Sequence, residues 1–187
     1  MALLKNLRLY WKSAICTGWF RVNGVKCGAV ACYGKLPVID ASGTIRTGKR
    51  FVVRSMVAPS EIAAKENAQI LIGDRCFVNQ GVVIAAVESI EIGDDTLIGD
   101  FCTIYDSNYH GLEPGSTDKP RPVILGKNVW LGTGVLVMPG SQIGDHTVVA
   151  AKSVVRGTLP PRVLAAGNPA KPIKELDIPD GWRRHDG

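Results

Sequence analysis

Aliphatic residues return at every sixth position through most of this chain: Ile72, Val78 and Ile84, then Ile92, Ile98 and Ile104, then Leu125, Leu131, Val137, Ile143, Val149 and Val155. A helix with 3.6 residues per turn would scatter them around its circumference, whereas short strands joined by corners carry one from each strand into a shared interior. The spacing predicts a parallel β-solenoid. Three hexads make one triangular coil, and coils stack at roughly the 4.8 Å strand spacing with backbone hydrogen bonds between them. A weaker series, Ile39, Ile45, Phe51 and Val57, extends the pattern toward the N-terminus.

The residues between the aliphatics repeat as well. Ile-Gly-Asp begins at Ile72, Ile92, Ile98 and Ile143, and Gly126 and Gly132 also follow an aliphatic residue. A backbone that turns this often needs corner positions of positive φ or close approach, which Gly tolerates and β-branched residues do not. Four places after the aliphatics stand Cys76, Thr96, Cys102, Ser141, Thr147 and Ser153, small enough for a narrow interior. Cys76 and Cys102 therefore read as core fillers rather than nucleophiles.

Composition agrees with a turn-rich fold. The 187 residues are 45% hydrophobic but only 6% aromatic, with 21 Gly and 11 Pro, which describes one domain with an aliphatic core and many turns. No apolar run reaches the roughly 18 residues of a membrane span, and no signal peptide is recognised, so a cytoplasmic location is expected. Five cysteines fit reduced thiols; Cys27 and Cys32 lack a second Cys/His pair at finger spacing, and no metal is expected. The net charge of +5 suits an acidic ligand such as a nucleotide phosphate and equally an ordinary soluble surface. With no basic run interleaved with aromatics, nucleic acid is not the expected partner.

Three regions follow. Residues 1–37 form a lead-in whose first 20 residues place Leu3, Leu4, Leu7, Tyr10, Trp11, Ala14 and Ile15 on one helical face. That amphipathic helix either caps the open first coil or touches a membrane surface through residues 1–15. Residues 38–160 form the solenoid, and residues 161–187 run along it before fraying after Trp182.

The hexads in Ile92–Ile104 and Leu125–Val155, closed by Leu-Pro-Pro-Arg-Val-Leu-Ala-Ala-Gly-Asn-Pro-Ala-Lys, resemble the hexapeptide-repeat O-acetyltransferases, which include maltose, galactoside and polysaccharide acetyltransferases. The resemblance covers about residues 70–176, and its most specific part is Trp-Leu-Gly-Thr-Gly followed by Gly-Asn-Pro-Ala-Lys. It implies an all-β, left-handed parallel β-helix, a homotrimer with sites between subunits, and acetyl-CoA as co-substrate.

The repeat breaks between Ile104 and Leu125, where residues 105–122 carry Gly, Ser, Asp, Asn and three prolines. A long loop on a rigid scaffold is a usual place for function, and this one holds His110. Transfer from a thioester to a hydroxyl needs a base, and imidazole, which ordinarily titrates near pH ~6.5, suits the task. A lone loop histidine is also often an exposed bystander; the family's pattern favours the base. His146 is expected to face solvent at a corner, and His185 to lie in the tail. Asp106, four residues before His110, either orients its ring or opens the loop as an Asx turn.

The resemblance implies further roles. Asn79, after Val78, occupies the place of an Asn that binds the acceptor or settles the reacting oxygen; a left-handed corner residue is the alternative. Trp130 is implied at the acetyl and pantetheine end of the cofactor, with subunit-interface packing as the alternative, and Gly132, Thr133 and Ala151 line the pantetheine groove. Phosphates call for cations among Lys152, Arg156, Arg162, Lys171 and Lys174, although Arg156-Gly157 stands where many relatives keep Thr-Lys. The expected activity is direct acetyl transfer to a saccharide hydroxyl. N-acetylation of an amino sugar and a non-catalytic assembly solenoid are the alternatives; a γ-type carbonic anhydrase would need three histidines, and the solenoid holds two.

Overall fold

A computed structural model describes residues 13–111, 113–179 and 181–184. It shows a triangular parallel β-helix made of three sheets with seven, eight and six strands. The first sheet starts with Lys26–Cys27, the second with Val30–Gly34 and the third with Val38–Ala41. Each parallel strand pairs with the strand one coil further on, so no coil satisfies its own backbone and the stack is cooperative.

The period-six residues form three interior columns. Ile72, Ile92, Leu125 and Ile143 stack in the first sheet; Val78, Ile98, Leu131 and Val149 in the second; Ile84, Ile104, Val137 and Val155 in the third. All are buried. Each contributes on the order of 1.5–3 kcal/mol on leaving water.

The weaker N-terminal series does not hold phase. Ile45 and Phe51 are buried, but Val57 is 69% exposed, and the column positions pass instead to Val53 and Ile62. The early strands are longer, with Phe51–Ser55 turning Phe51, Val53 and Ser55 inward together. Sides of unequal length erase a strict six-residue period while keeping the coil. For the same reason the solenoid begins at Lys26, inside the expected lead-in, and continues through Val163–Gly167. Ala170–Glu175 then folds back antiparallel on that strand and closes the edge.

Corner chemistry divides between two positions. The Gly after the aliphatic serves close approach: a Cβ on Gly93 would fall 2.6 Å from the carbonyl carbon and oxygen of Gly126 in the next coil. The left-handed backbone comes two residues later, at Asp95 (φ 60°), Asn128 (φ 54°) and His146 (φ 62°). The six small residues predicted to fill the interior are all buried. The Cys76 thiol donates to Gly93 O at 3.2 Å and the Cys102 thiol to Gly132 O at 3.0 Å. Burial pushes these thiols up to about 12 and about 11, far from a reactive thiolate.

Residues 13–22 are helical and cap the first coil. Phe20 packs edge-on against Phe51 with ring centroids 6.0 Å apart, beside buried Cys16. The helix also satisfies the outer edge of the second sheet's first strand: Val30 N donates to Thr17 Oγ1 at 3.0 Å, and Ser13 Oγ donates to Val30 O at 2.9 Å. The expected apolar face is corrected here, because Ala14 and Ile15 point outward while Cys16 and Phe20 turn in. The remainder of that face, residues 1–12, lies outside the described residues. No helix among the described residues is long and apolar enough to cross a membrane.

Candidate active site

The break in the hexads becomes a loop on the edge between the third and first sheets, leaving after Thr103–Tyr105 and returning at Val123–Leu125. Its stem is set by Asp106, which is fully buried. One carboxylate oxygen accepts from Val87 N at 2.8 Å, and the other from Glu88 N and Ser89 N at 2.8 and 2.7 Å. Its carbonyl accepts from Arg121 N at 2.7 Å, joining the two ends of the loop. The structure therefore gives Asp106 to the corner of the preceding coil rather than to His110. Neither an ordinary Asx turn nor a base-orienting carboxylate describes it.

A second carboxylate, absent from the sequence reading, shapes the segment that carries His110. Asp118 accepts from Ser107 Oγ at 2.5 Å, from Asn108 N at 2.8 Å and from Asn108 Nδ2 at 3.2 Å. Ser107 Oγ accepts in turn from Tyr109 N at 2.9 Å, where the backbone turns left-handed (φ 65°). His110 follows, exposed, beside a depression of about 420 Å³ lined by Ser107, Tyr109, Ser116 and Asp118. The only sequence signal for Asp118 was turn composition, which names no partner.

The hydrogen bond from Ser107, then desolvation opposing it and the amides of Asn108, leave the Asp118 carboxyl below its ordinary value. A folded value below the unfolded one means that the clasp holds above the usual carboxylate range and loosens as pH falls through the lowered value. Asp118→Ala should open the clasp at neutral pH, because no side-chain acceptor then remains for Ser107 Oγ and the Asn108 amides. Amide exchange at Asn108 and Tyr109 should then quicken at least tenfold near pH 7. Wild-type protection at these amides should persist near neutrality and fade in acid; unchanged exchange in the variant would count against the clasp.

On the edge between the second and third sheets, Asn79, Gly99 and Gly132 align in successive coils, their amides donating to Ile98, Leu131 and Val149 carbonyls at 2.9, 2.8 and 2.8 Å. Thr133 and Ala151 stand beside that column, both exposed. Asn79 is not the left-handed corner residue; that place belongs to Gly81 (φ 64°), where a Cβ would also meet the Phe101 ring at 2.4 Å. Its side-chain oxygen instead accepts from Arg54 Nη1 at 3.4 Å. Asp100 Oδ1 is buried on this edge with no hydrogen-bond partner among the described residues.

Trp130 projects from the outer face of the second sheet, 44% exposed. The Arg184 guanidinium lies over it at 5.8 Å and over Trp182 at 5.1 Å, beside a cleft of about 740 Å³ that Val148, Leu164 and Ile178 also line. Arg184 is anchored: its backbone N donates to Asn128 Oδ1 at 3.1 Å and its Nη2 to His146 O at 3.1 Å. The Asn128 amide thus presents its Nδ2 to His146 Nδ1 at 2.8 Å and to Trp182 O at 3.2 Å. Two expectations are corrected together. His146 is held in a network rather than left to solvent, and the chain stays attached through Arg184 instead of fraying at Trp182. His185 lies outside the described residues.

The cations are not gathered. Lys171, paired with Ala166, lies on the strand that closes the second sheet, while Arg156 follows Val155 on the His110 edge; both are exposed. Among the described residues no three His, Cys, Asp or Glu side chains are placed to hold a metal, and His110 and His146 stand on different edges. Within one chain the structure groups Asn79, Gly132, Thr133 and Ala151 on one edge, and sets His110 on another and Trp130 on a face.

Comparison with known proteins places this geometry. Residues 122–157 match the family described as bacterial transferase hexapeptide (six repeats). A hexapeptide-repeat-containing acetyltransferase of Vibrio cholerae, solved in complex with acetyl coenzyme A, is 31% identical, with 68% of this chain and 72% of that one covered and a TM-score of 0.56. The chain belongs to the hexapeptide-repeat acetyltransferase family, and its solenoid is the left-handed β-helix of that family.

Two curated relatives come from Escherichia coli K12. One, provisionally named a lipopolysaccharide biosynthesis O-acetyl transferase, WbbJ, is 42% identical over 120 residues, covering 58% of this chain and 61% of its own length. The galactoside O-acetyltransferase is 34% identical over 116 residues, covering 60% and 57%. The chain thus spans about three-fifths of the length of these relatives. A variant of AntD, an N-acyltransferase from Bacillus cereus solved with dTDP and coenzyme A, covers 87% of this chain with a TM-score of 0.69 but 18% identity, a likeness of fold alone.

Proposed function

We propose that this protein transfers an acetyl group from acetyl-CoA to a hydroxyl of a saccharide acceptor, with His110 as general base. The observation that carries the reading is the placement of His110: an exposed imidazole on the one long break in the hexads, in a loop whose stem and preceding residues are held by Asp106 and Asp118. Pre-setting the base in this way lowers the entropic cost of reaching the reactive geometry. The relatives' names and the acetyl-CoA complex of the Vibrio protein support the donor and the hydroxyl acceptor.

In this reading His110 takes the acceptor proton as its oxygen attacks the thioester carbonyl, and the tetrahedral intermediate expels CoA thiolate without an acyl-enzyme. Asn79 is suited to settle the reacting oxygen. Because the Arg54 guanidinium can only donate, its contact with Asn79 Oδ1 turns the Nδ2 outward as a donor. The pantetheine arm lies along Gly132, Thr133 and Ala151, where small side chains leave room. Trp130 packs at its acetyl end, and Arg156 and Lys171 meet the phosphates. The separation of His110 from Trp130 within one chain supports a homotrimer in which a neighbour completes each site.

Release of CoA thiol, measured against a panel of neutral and amino sugars, tests this. Hydroxyl acceptors should turn over, with mass spectrometry showing an ester product. Turnover of amino sugars alone would transfer the reading to N-acylation, and calorimetry without CoA binding would replace it with a non-catalytic solenoid.

A further inference from the structure

The capping helix is apolar on two sides, and among the described residues only one packs on the coil. Cys16 and Phe20 seat it on the first coil, while Ile15, Trp19 and Val22, at i, i+4 and i+7, form a second stripe 61%, 39% and 86% exposed. The Trp19 indole donates to Pro37 O at 3.3 Å, which joins the stripe to Leu36 and Val38 of the first coil, 36% and 55% exposed. A cap needs a polar outer surface; this one carries a hydrophobic stripe.

Charge singles out the same end of the molecule. The first 60 residues hold ten of the 22 Lys and Arg but one of the 17 Asp and Glu, Asp40. The remaining 127 residues are net acidic, so the overall +5 conceals a strongly basic end. Arg21, Lys26 and Lys35, in the helix and first coil, and Arg46, Lys49 and Arg50, in the second, are all exposed. Asp40, the carboxylate of the first coil, is drawn to Ser42 and, at 3.6 Å, to Lys65.

We propose that this end of the solenoid docks on an anionic lipid bilayer, with the Ile15–Trp19–Val22 stripe entering the interface and the surrounding cations meeting the headgroups. An amphipathic helix with an apolar stripe, an interfacial Trp and flanking Lys and Arg has the composition that partitions to such a surface. Each cation near an anionic surface strengthens the attraction, and salt weakens it. A nucleic acid would be served by the charge alone and leaves the apolar stripe unexplained; a second copy would bring basic end against basic end. The proposal does not depend on the acyl-transfer reading.

The test is co-sedimentation of the full chain with phosphatidylcholine vesicles, with and without phosphatidylglycerol at about 30 mol%. Wild type should bind the anionic vesicles at least tenfold more tightly than the neutral ones, and lose most of that binding in high salt. Ile15→Ser/Val22→Ser should bind the anionic vesicles at least tenfold more weakly with unchanged thermal unfolding, since both side chains are largely exposed, whereas Trp19, bonded to Pro37, is left in place. Arg21→Glu/Lys26→Glu should weaken binding to a similar degree while keeping the stripe. Wild type left in the supernatant with anionic vesicles, or serine and wild-type chains sedimenting alike, overturns the proposal. So does a serine variant of lower oligomeric state when wild type does not bind vesicles, because a second copy then covers the stripe.

Discussion

Replacing His110 by Ala should lower turnover by about two to four orders of magnitude, the usual contribution of a positioned general base. The side chain is exposed and its loop is shaped by Asp106 and Asp118, so the variant should unfold within about 0.5 kcal/mol of wild type. The KM for acetyl-CoA should change little, because the donor is proposed to lie along the Gly132 and Ala151 edge instead. Thiol release by the purified variant measures all of this; turnover within a fewfold of wild type would remove His110 from the chemistry.

Asp106→Ala should have the largest effect on stability. Three backbone amides lose their acceptor around a fully buried site, and each such donor, if left unpaired, costs about 1–3 kcal/mol. With some relief from entering water, a loss of about 3–5 kcal/mol is expected, read as a lowered denaturant midpoint. Asn should rescue poorly, because its NH2 would face amides that also donate. A variant with normal stability and a selective fall in kcat would mean that Asp106 orients His110 after all.

Much of this protein was legible before folding was considered. The columns through Ile72, Val78 and Ile84 follow from spacing because every side of a regular coil holds the same number of residues. The loop was legible as the place where that spacing fails, and so was the position of His110 within it. The first coils were not, because Phe51–Ser55 and its neighbours are longer and lose the period without losing the pairing. Val57 was misplaced for that reason. Asp118 was invisible because turn residues look alike until the chain returns to Ser107.

The same division runs through the helix and the C-terminal segment. Amphipathicity announced a helix near the N-terminus, yet which apolar face is buried depends on where Phe51 stands to receive Phe20. His146 looked like a solvent corner because its partners, Asn128 and Arg184, are 18 and 38 residues away in sequence. What the sequence alone determined is the repeating coil and the one long interruption of it, since both are properties of spacing along the chain. What only the tertiary structure decided is the partner of each carboxylate and the edge on which each candidate residue stands. Those depend on contacts between coils, and a linear pattern carries no record of which distant donor a side chain meets.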